Sequence, residues 1–308
     1  MIKLITKITK EKRTRSTLRI KFYALKALAF ASAAVVAGGC GALIFFIFQQ
    51  GFQTLDARLF FGDTPPLEAI FHAAPVWDGI WPAFAGTFCL VALTMLMALV
   101  PGIGCGLFLA RYSESGLARA LSSGIELLAS VPSIVMGLFG FVLIIALRRT
   151  IAPDATTSIA LAAFCLALLV MPALVVTTRA SIESLPPMLE ITGASLGFSH
   201  NAIMLRLLVP AAARGILGGV MLAMGRAAED TAVIMLTGVV VNSGLPAGLA
   251  SKFEALPFLI YYTAAQYADE SELLRGFGAS LVLLMLSAAL MGAAWLCQRG
   301  MERRFRGN

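Results

Sequence analysis

Six near-continuous apolar blocks divide this chain, each about the length needed to cross a bilayer, and they exclude a water-soluble fold. They run at roughly 24–48, 83–110, 124–147, 158–176, 215–241 and 278–297. A bilayer core takes about 20 apolar residues per helix, so each block is long enough to cross with some tilt. Composition agrees: 59% of the 308 residues are hydrophobic and 13% charged, against about 45–50% and about 25% in soluble domains. The expected fold is an all-α integral membrane protein with about six transmembrane helices.

The net charge of +7 would suit nucleic acid if it were spread over a soluble surface. Instead, nine of the 24 Lys and Arg precede Ala27. A basic run beside a first apolar span is what anionic lipid and the positive-inside rule select, so lipid is the expected partner and nucleic acid is not. Counted by connection, 18 basic residues fall on the side of the two termini and five on the other, with Arg226 left inside a span. That asymmetry predicts both termini in the cytoplasm. The first block is too long for a signal peptide's apolar region and lacks a small-x-small exit, so an uncleaved first helix is expected. The chain then divides into a cytoplasmic basic tail, 1–23, and a membrane domain, 24–308.

Cys40, Cys89, Cys105, Cys165 and Cys297 share no CxxC spacing and sit in apolar stretches, as small buried hydrophobes do. His72 and His200 lack neighbouring ligands, so no metal site is expected. Nor is there a GxxxxGK[ST], HExxH or GxSxG motif. No catalytic residue and no cofactor is therefore assigned to this chain.

Two connections are long. The outer one, 49–82, carries Asp56, Asp63, Glu68 and Asp78. The cytoplasmic one, 177–214, is amphipathic and too polar to cross; Pro186, Pro187, Gly197 and Pro210 cut it into a short helix over 188–196, a break and a second helix. Such a helix either docks a partner or simply lies on the surface.

The most unusual stretch is Gly225-Arg226-Ala227-Ala228-Glu229-Asp230-Thr231 inside the fifth block. Charges at a bilayer centre cost about 2.5–3.5 kcal/mol each, so three left uncompensated would cost on the order of 8–10. In a continuous helix Glu229 and Asp230 lie three and four residues beyond Arg226 on one face, within reach of its guanidinium. The cluster either holds helices together or lines a water-filled path, where an Arg fork suits a tetrahedral oxyanion. In the third block, Ser130-Val131-Pro132-Ser133 places two hydroxyls beside a proline kink.

These segments, in this order, resemble the inner-membrane permeases of binding-protein-dependent ABC importers, and among them the phosphate-specific permeases, over about three quarters of the chain from Trp81 onward. VPSIVMGLFG at 131–140 looks like their VPSIVxGLFG, and GRAAEDT at 225–231 looks like their GRAxGET, with Glu229 where glycine is usual. The stretch from Leu256-Pro257 through Tyr261 to the last helix is similar to the A-type subunit. Segment 177–214 is similar to the family's coupling loop, with Gly197 and Pro210 at the family's spacing. Glu190 stands one residue before the family's glutamate position, which holds Ile191 here, and Val176 replaces an arginine.

The resemblance implies a type I ABC importer permease fold with a cytoplasmic coupling helix. It implies phosphate translocation by alternating access along a path touching Arg226, Glu229, Asp230, Thr231, Ser130 and Ser133, and coupling through Glu190, Gly193, Gly197 and Pro210. Implied partners are a second permease subunit, two ATPase subunits that bind ATP and Mg, and an external phosphate-binding protein. Sulfate, molybdate or tungstate import, or a non-transporting signalling scaffold, stay open as alternatives.

Overall fold

The computed structural model describes residues 2–71 and 76–306, with residues 2–20 and 301–306 described by backbone alone; His72 lies outside the described residues. The chain divides into two units, Met1–Gln50 and Gly51–Asn308. The first is the greater part of one helix, α1 (Ile2–Phe52), whose portion Lys21–Phe52 is long and apolar enough to cross a membrane.

The second unit holds two short helices, α2 (Ala57–Phe61) and α3 (Pro66–Phe71), and then α4 (Trp81–Arg111), α5 (Gly116–Ser130), α6 (Ser133–Thr150) and α7 (Ile159–Glu183). After these come α8 (Met188–Ser195), α9 (His200–Ile203), a π segment (Met204–Leu208), α10 (Val209–Glu229), α11 (Ala232–Thr237), α12 (Leu256–Gln266) and α13 (Glu270–Arg306). Among the described residues six helical stretches can cross a membrane, five of them in this unit: Trp81–Arg111, Ser133–Thr150, Ile159–Glu183, His200–Glu229 and Glu270–Gly300.

Helix α7 is the centre of the second unit: Ala162, Ala163, Cys165, Leu166, Val170 and Leu174 are fully buried. Lipid tails are as apolar as leucine, so membrane helices gain from close backbone approach rather than from leaving water. Two glycine pairs provide it. Gly102 and Gly106 of α4 meet Leu174 and Thr178, where an added Cβ would lie 2.9 and 2.6 Å from the nearest side-chain atoms. Gly215 and Gly219 of α10 meet Ser181 and Thr177, at 2.1 and 1.9 Å on the same measure. Both pairs are spaced by four, so each falls on one helix face.

The N–H groups at the start of α7 have no helical acceptors. Residues 237–251 supply them: Ser158 N donates to the Thr237 carbonyl at 2.9 Å, Ile159 N to Ser251 at 3.0 Å and Ala160 N to Leu249 at 3.1 Å. The irregular chain between α11 and α12 is thereby stitched onto the core.

Three expectations change. The third block is not one helix: Val131 and Pro132 are extended (ψ 124° and 144°), because proline's ring disfavours helical backbone in the residue before it. The fifth block is not one helix either; α10 ends at Glu229, Asp230 is extended (ψ 112°), and a new helix starts at Ala232. Conversely, the second helix of the cytoplasmic segment does not end at Pro210 but runs on into the fifth span. Val209 N bonds the Met204 carbonyl five residues back, and this π turn carries the chain past a proline that has no N–H to give. Residues 200–229 therefore form one rod.

Candidate functional site

The two broken blocks meet. Helix α6 packs against α11 through Gly137, where a Cβ would lie 2.9 Å from the Ala232 carbonyl oxygen, and through Gly140, beside Thr237. Residue numbers rise together along both helices, so α6 and α11 run parallel and start at the same end. Beyond the Gly137 contact α6 continues for about 20 Å at 1.5 Å per residue. Gly140 of α6 meets both Thr237 and Cys165, and Gly219 of α10 meets Thr177, so the break at Asp230 falls between Cys165 and Thr177 along α7, within the helix stack rather than at its rim.

Asp230 does not pair with Arg226. Its Oδ1 accepts the Val233 N–H at 2.9 Å and caps α11, a bond available only because the residue has left the α10 helix. The expected geometry, Asp230 one turn beyond Arg226 on a single helix, required α10 to continue. Arg226 and Glu229, the last charges of α10, are both exposed, and among the described residues neither forms an ion pair within this chain. Thr231 is half-buried at the break, and Ser133, also half-buried, opens α6 at the same end. Ser130 is exposed, and its hydroxyl donates back to the Leu127 carbonyl at 2.7 Å. The arrangement gathers two helix starts, a capping carboxylate and an uncovered guanidinium. Helix starts carry partial positive charge; with Arg226 they face the negative charge of Asp230, which caps α11, and of Glu229 beside it.

The segment between α7 and α10 forms an elbow. Pro187 precedes α8, where its lack of an N–H does no harm. Gly193 is buried under Ile203 and Leu207. Gly197 (φ +76°) closes the helix: its N–H bonds Ala194, and Phe198 N bonds the Gly193 carbonyl at 3.1 Å. This left-handed cap is the conformation glycine adopts without strain. Pro210 lies in the first turn of α10. Glu190 faces inward, its Oε2 3.3 Å from Arg111 Nη1 at the end of α4. Ile191, in the position next to it, is exposed together with Met188, Leu196 and Phe198. Arg179 pairs with Glu183 at 2.7 Å.

Sequence reasoning missed Glu254, a single carboxylate in the apolar run 253–260. It is buried, and its Oε1 accepts N–H bonds from Ser243 at 2.8 Å and Gly244 at 2.7 Å, fixing the turn that begins at left-handed Asn242. Burial pushes its carboxyl pKa up, while the two N–H groups pull it down by less. Glu254→Gln keeps an accepting oxygen, whereas Glu254→Ala orphans two N–H groups and should cost about 2–4 kcal/mol of stability in detergent. Because the folded pKa is raised, the ionised carboxylate opposes folding at neutral pH, and that opposition fades as pH falls toward the unfolded value near 4.3. The Gln variant should therefore melt above the wild type at neutral pH and converge with it in acid; a pH-independent gap would contradict this account.

Residues 102–307 match the family described as binding-protein-dependent transport system inner membrane component. The phosphate transport system permease protein PstA of Haemophilus influenzae is 30% identical over 246 residues, 79% of this chain and 82% of that protein. A probable PstA of Methanocaldococcus jannaschii is 26% identical over 212 residues, 69% of this chain and 73% of its own length. Among solved structures, a chain of the MetNI methionine ABC transporter in inward-facing conformation shares the fold, with a TM-score of 0.53 at 17% identity, covering 72% of this chain and 97% of that one.

Proposed function

Since the chain belongs to the family of binding-protein-dependent transport system inner membrane components, we propose that this permease carries inorganic phosphate across the bacterial inner membrane by ATP-driven alternating access. It is a multi-pass inner-membrane protein and a permease component of an ABC importer. In the proposed arrangement both termini face the cytoplasm, as the skewed distribution of Lys and Arg favours. A second permease subunit closes the path, an external phosphate-binding protein delivers the anion, and two ATPase chains hold ATP and Mg. The exposed face of α8 is the contact offered to an ATPase.

The observation that carries this reading is the uncovered Arg226 in the last turn of α10, just before the α10–α11 break. A charge left unmatched inside a membrane stack calls for a partner, and a passing oxyanion is one that a guanidinium fork binds well. The likeness to PstA proteins, whose names specify phosphate, supports the choice of cargo.

The test is uptake of labelled phosphate by proteoliposomes holding this chain with its neighbouring permease, ATPase and binding protein. ATP-dependent phosphate uptake that excess sulfate, molybdate or tungstate fails to suppress supports the proposal. Uptake without ATP dependence overturns the mechanism, and suppression by one of those anions reassigns the cargo. A chain that never associates with an ATPase would be a signalling scaffold instead.

A further inference from the structure

The geometry points to Arg111 as a positioning residue that clasps the elbow to the end of α4, so that the one charged side chain of α8 is held within this chain while the helix's exposed residues are uncharged. The inference rests on the importer reading above. Arg111 is the last residue of α4. Its Nη1 lies 3.3 Å from Glu190 Oε2 and 3.5 Å from Oε1. Its Nε and Nη2 lie against the His200 ring, Nη2 3.0 Å from Nδ1. One guanidinium thereby joins α4, α8 and α9. A planar fork holds fixed donors toward two acceptors on different helices; a lysine ammonium, with rotatable donors on one atom, orients them less firmly.

The pair is partly exposed, 28% for Arg111 and 44% for Glu190, and ion pairs so open to solvent add little to stability. Its effect lies in placement. Beneath it, Gly193 lets α8 ride on Ile203 and Leu207, a contact of flexible side-chain ends. Above it, α4 is locked to α7 by Gly102 and Gly106. A push on α8 reaches α4 through Arg111, and from α4 it reaches the packed core. With Glu190 turned inward, Met188, Ile191, Leu196 and Phe198 are left to face a partner, and none of them is charged.

The experiment compares wild type, Arg111→Ala, Arg111→Lys, Glu190→Ala, the double alanine variant and the exchange Arg111→Glu/Glu190→Arg in the full transporter, reading phosphate taken up per ATP hydrolysed. Each single alanine variant should lower that ratio about fivefold, with the double variant no worse than Arg111→Ala, because Glu190→Ala removes only a contact that Arg111→Ala has already removed. The lysine variant should fall between, and the exchange should restore most of the ratio while thermal unfolding stays unchanged throughout. Unchanged single variants, or additive losses in the double, overturn the clasp. A separate measurement uses the purified chain with its native cysteines replaced and spin labels at Ser113 and Thr192: a narrow distance distribution that broadens in Arg111→Ala and sharpens in the exchange supports the clasp, and one indifferent to Arg111 overturns it. Absence of any ATP-dependent uptake by the wild type overturns the importer reading alone, since the spin-label result still decides the clasp.

Discussion

Replacing Arg226 with alanine should reduce phosphate uptake by about 10- to 100-fold, because a hydrogen bond from a charged group such as this exposed guanidinium contributes about 1.5–3 kcal/mol. Asp230 turns its Oδ1 to the Val233 N–H and forms no ion pair with the guanidinium. Nothing else described in this chain pairs with Arg226, and in the proposed mechanism its partner is the cargo, or a group on the second subunit that the cargo displaces. Arg226→Lys keeps the charge without the fork and should show an intermediate defect, largely in apparent affinity. Initial uptake rates across phosphate concentrations, with membrane insertion verified, measure both. An alanine variant that is inserted and transports with unchanged rate and affinity would remove Arg226 from the path.

The second large effect is steric. At Gly219 an added Cβ would lie 1.9 Å from Thr177 Oγ1 and 2.8 Å from its Cβ. Gly219→Leu must push α10 away from α7 and lose the packing of the central helix; overpacking of this kind reaches about 3 kcal/mol, some 6–12 °C in the melting midpoint of a unit this size. The adjacent Gly218 has open space around its Cβ position. Gly218→Leu is therefore the control, differing from wild type by no more than about 0.5 kcal/mol. Equal midpoints for the two variants would mean that the glycine seam does not hold α10 in place.

The sequence pattern reports burial well and backbone path poorly. Apolar blocks located six crossings because hydrocarbon demands contiguous apolar length whatever the packing. The same blocks hid two interruptions, since Val131-Pro132 and Asp230-Thr231 are short and their neighbours remain apolar. Pairing Arg226 with Asp230 rested on counting residues along a helix, and the count fails where the helix stops. Asp230 was the available sign of that stop, as aspartate favours the cap position. Pro210 misled in the opposite sense, because a π turn accommodates what an α turn would not. Arg111 and Glu190 are 79 residues apart in sequence and meet only through the fold. Glu254 did leave a mark, a lone acid among Phe253, Ala255, Leu256 and Pro257, which is the composition that forces a buried carboxylate to find donors.

The π turn has one further consequence. A π turn is an α-helix holding one residue too many, and each residue turns an α-helix by about 100°. The azimuth at which Arg226 leaves the rod is therefore fixed, relative to the elbow at its other end, by a single surplus residue between Met204 and Leu208. The direction in which the charge points is set some twenty residues away, by a local miscount in the helix rather than by any contact that the charge itself makes.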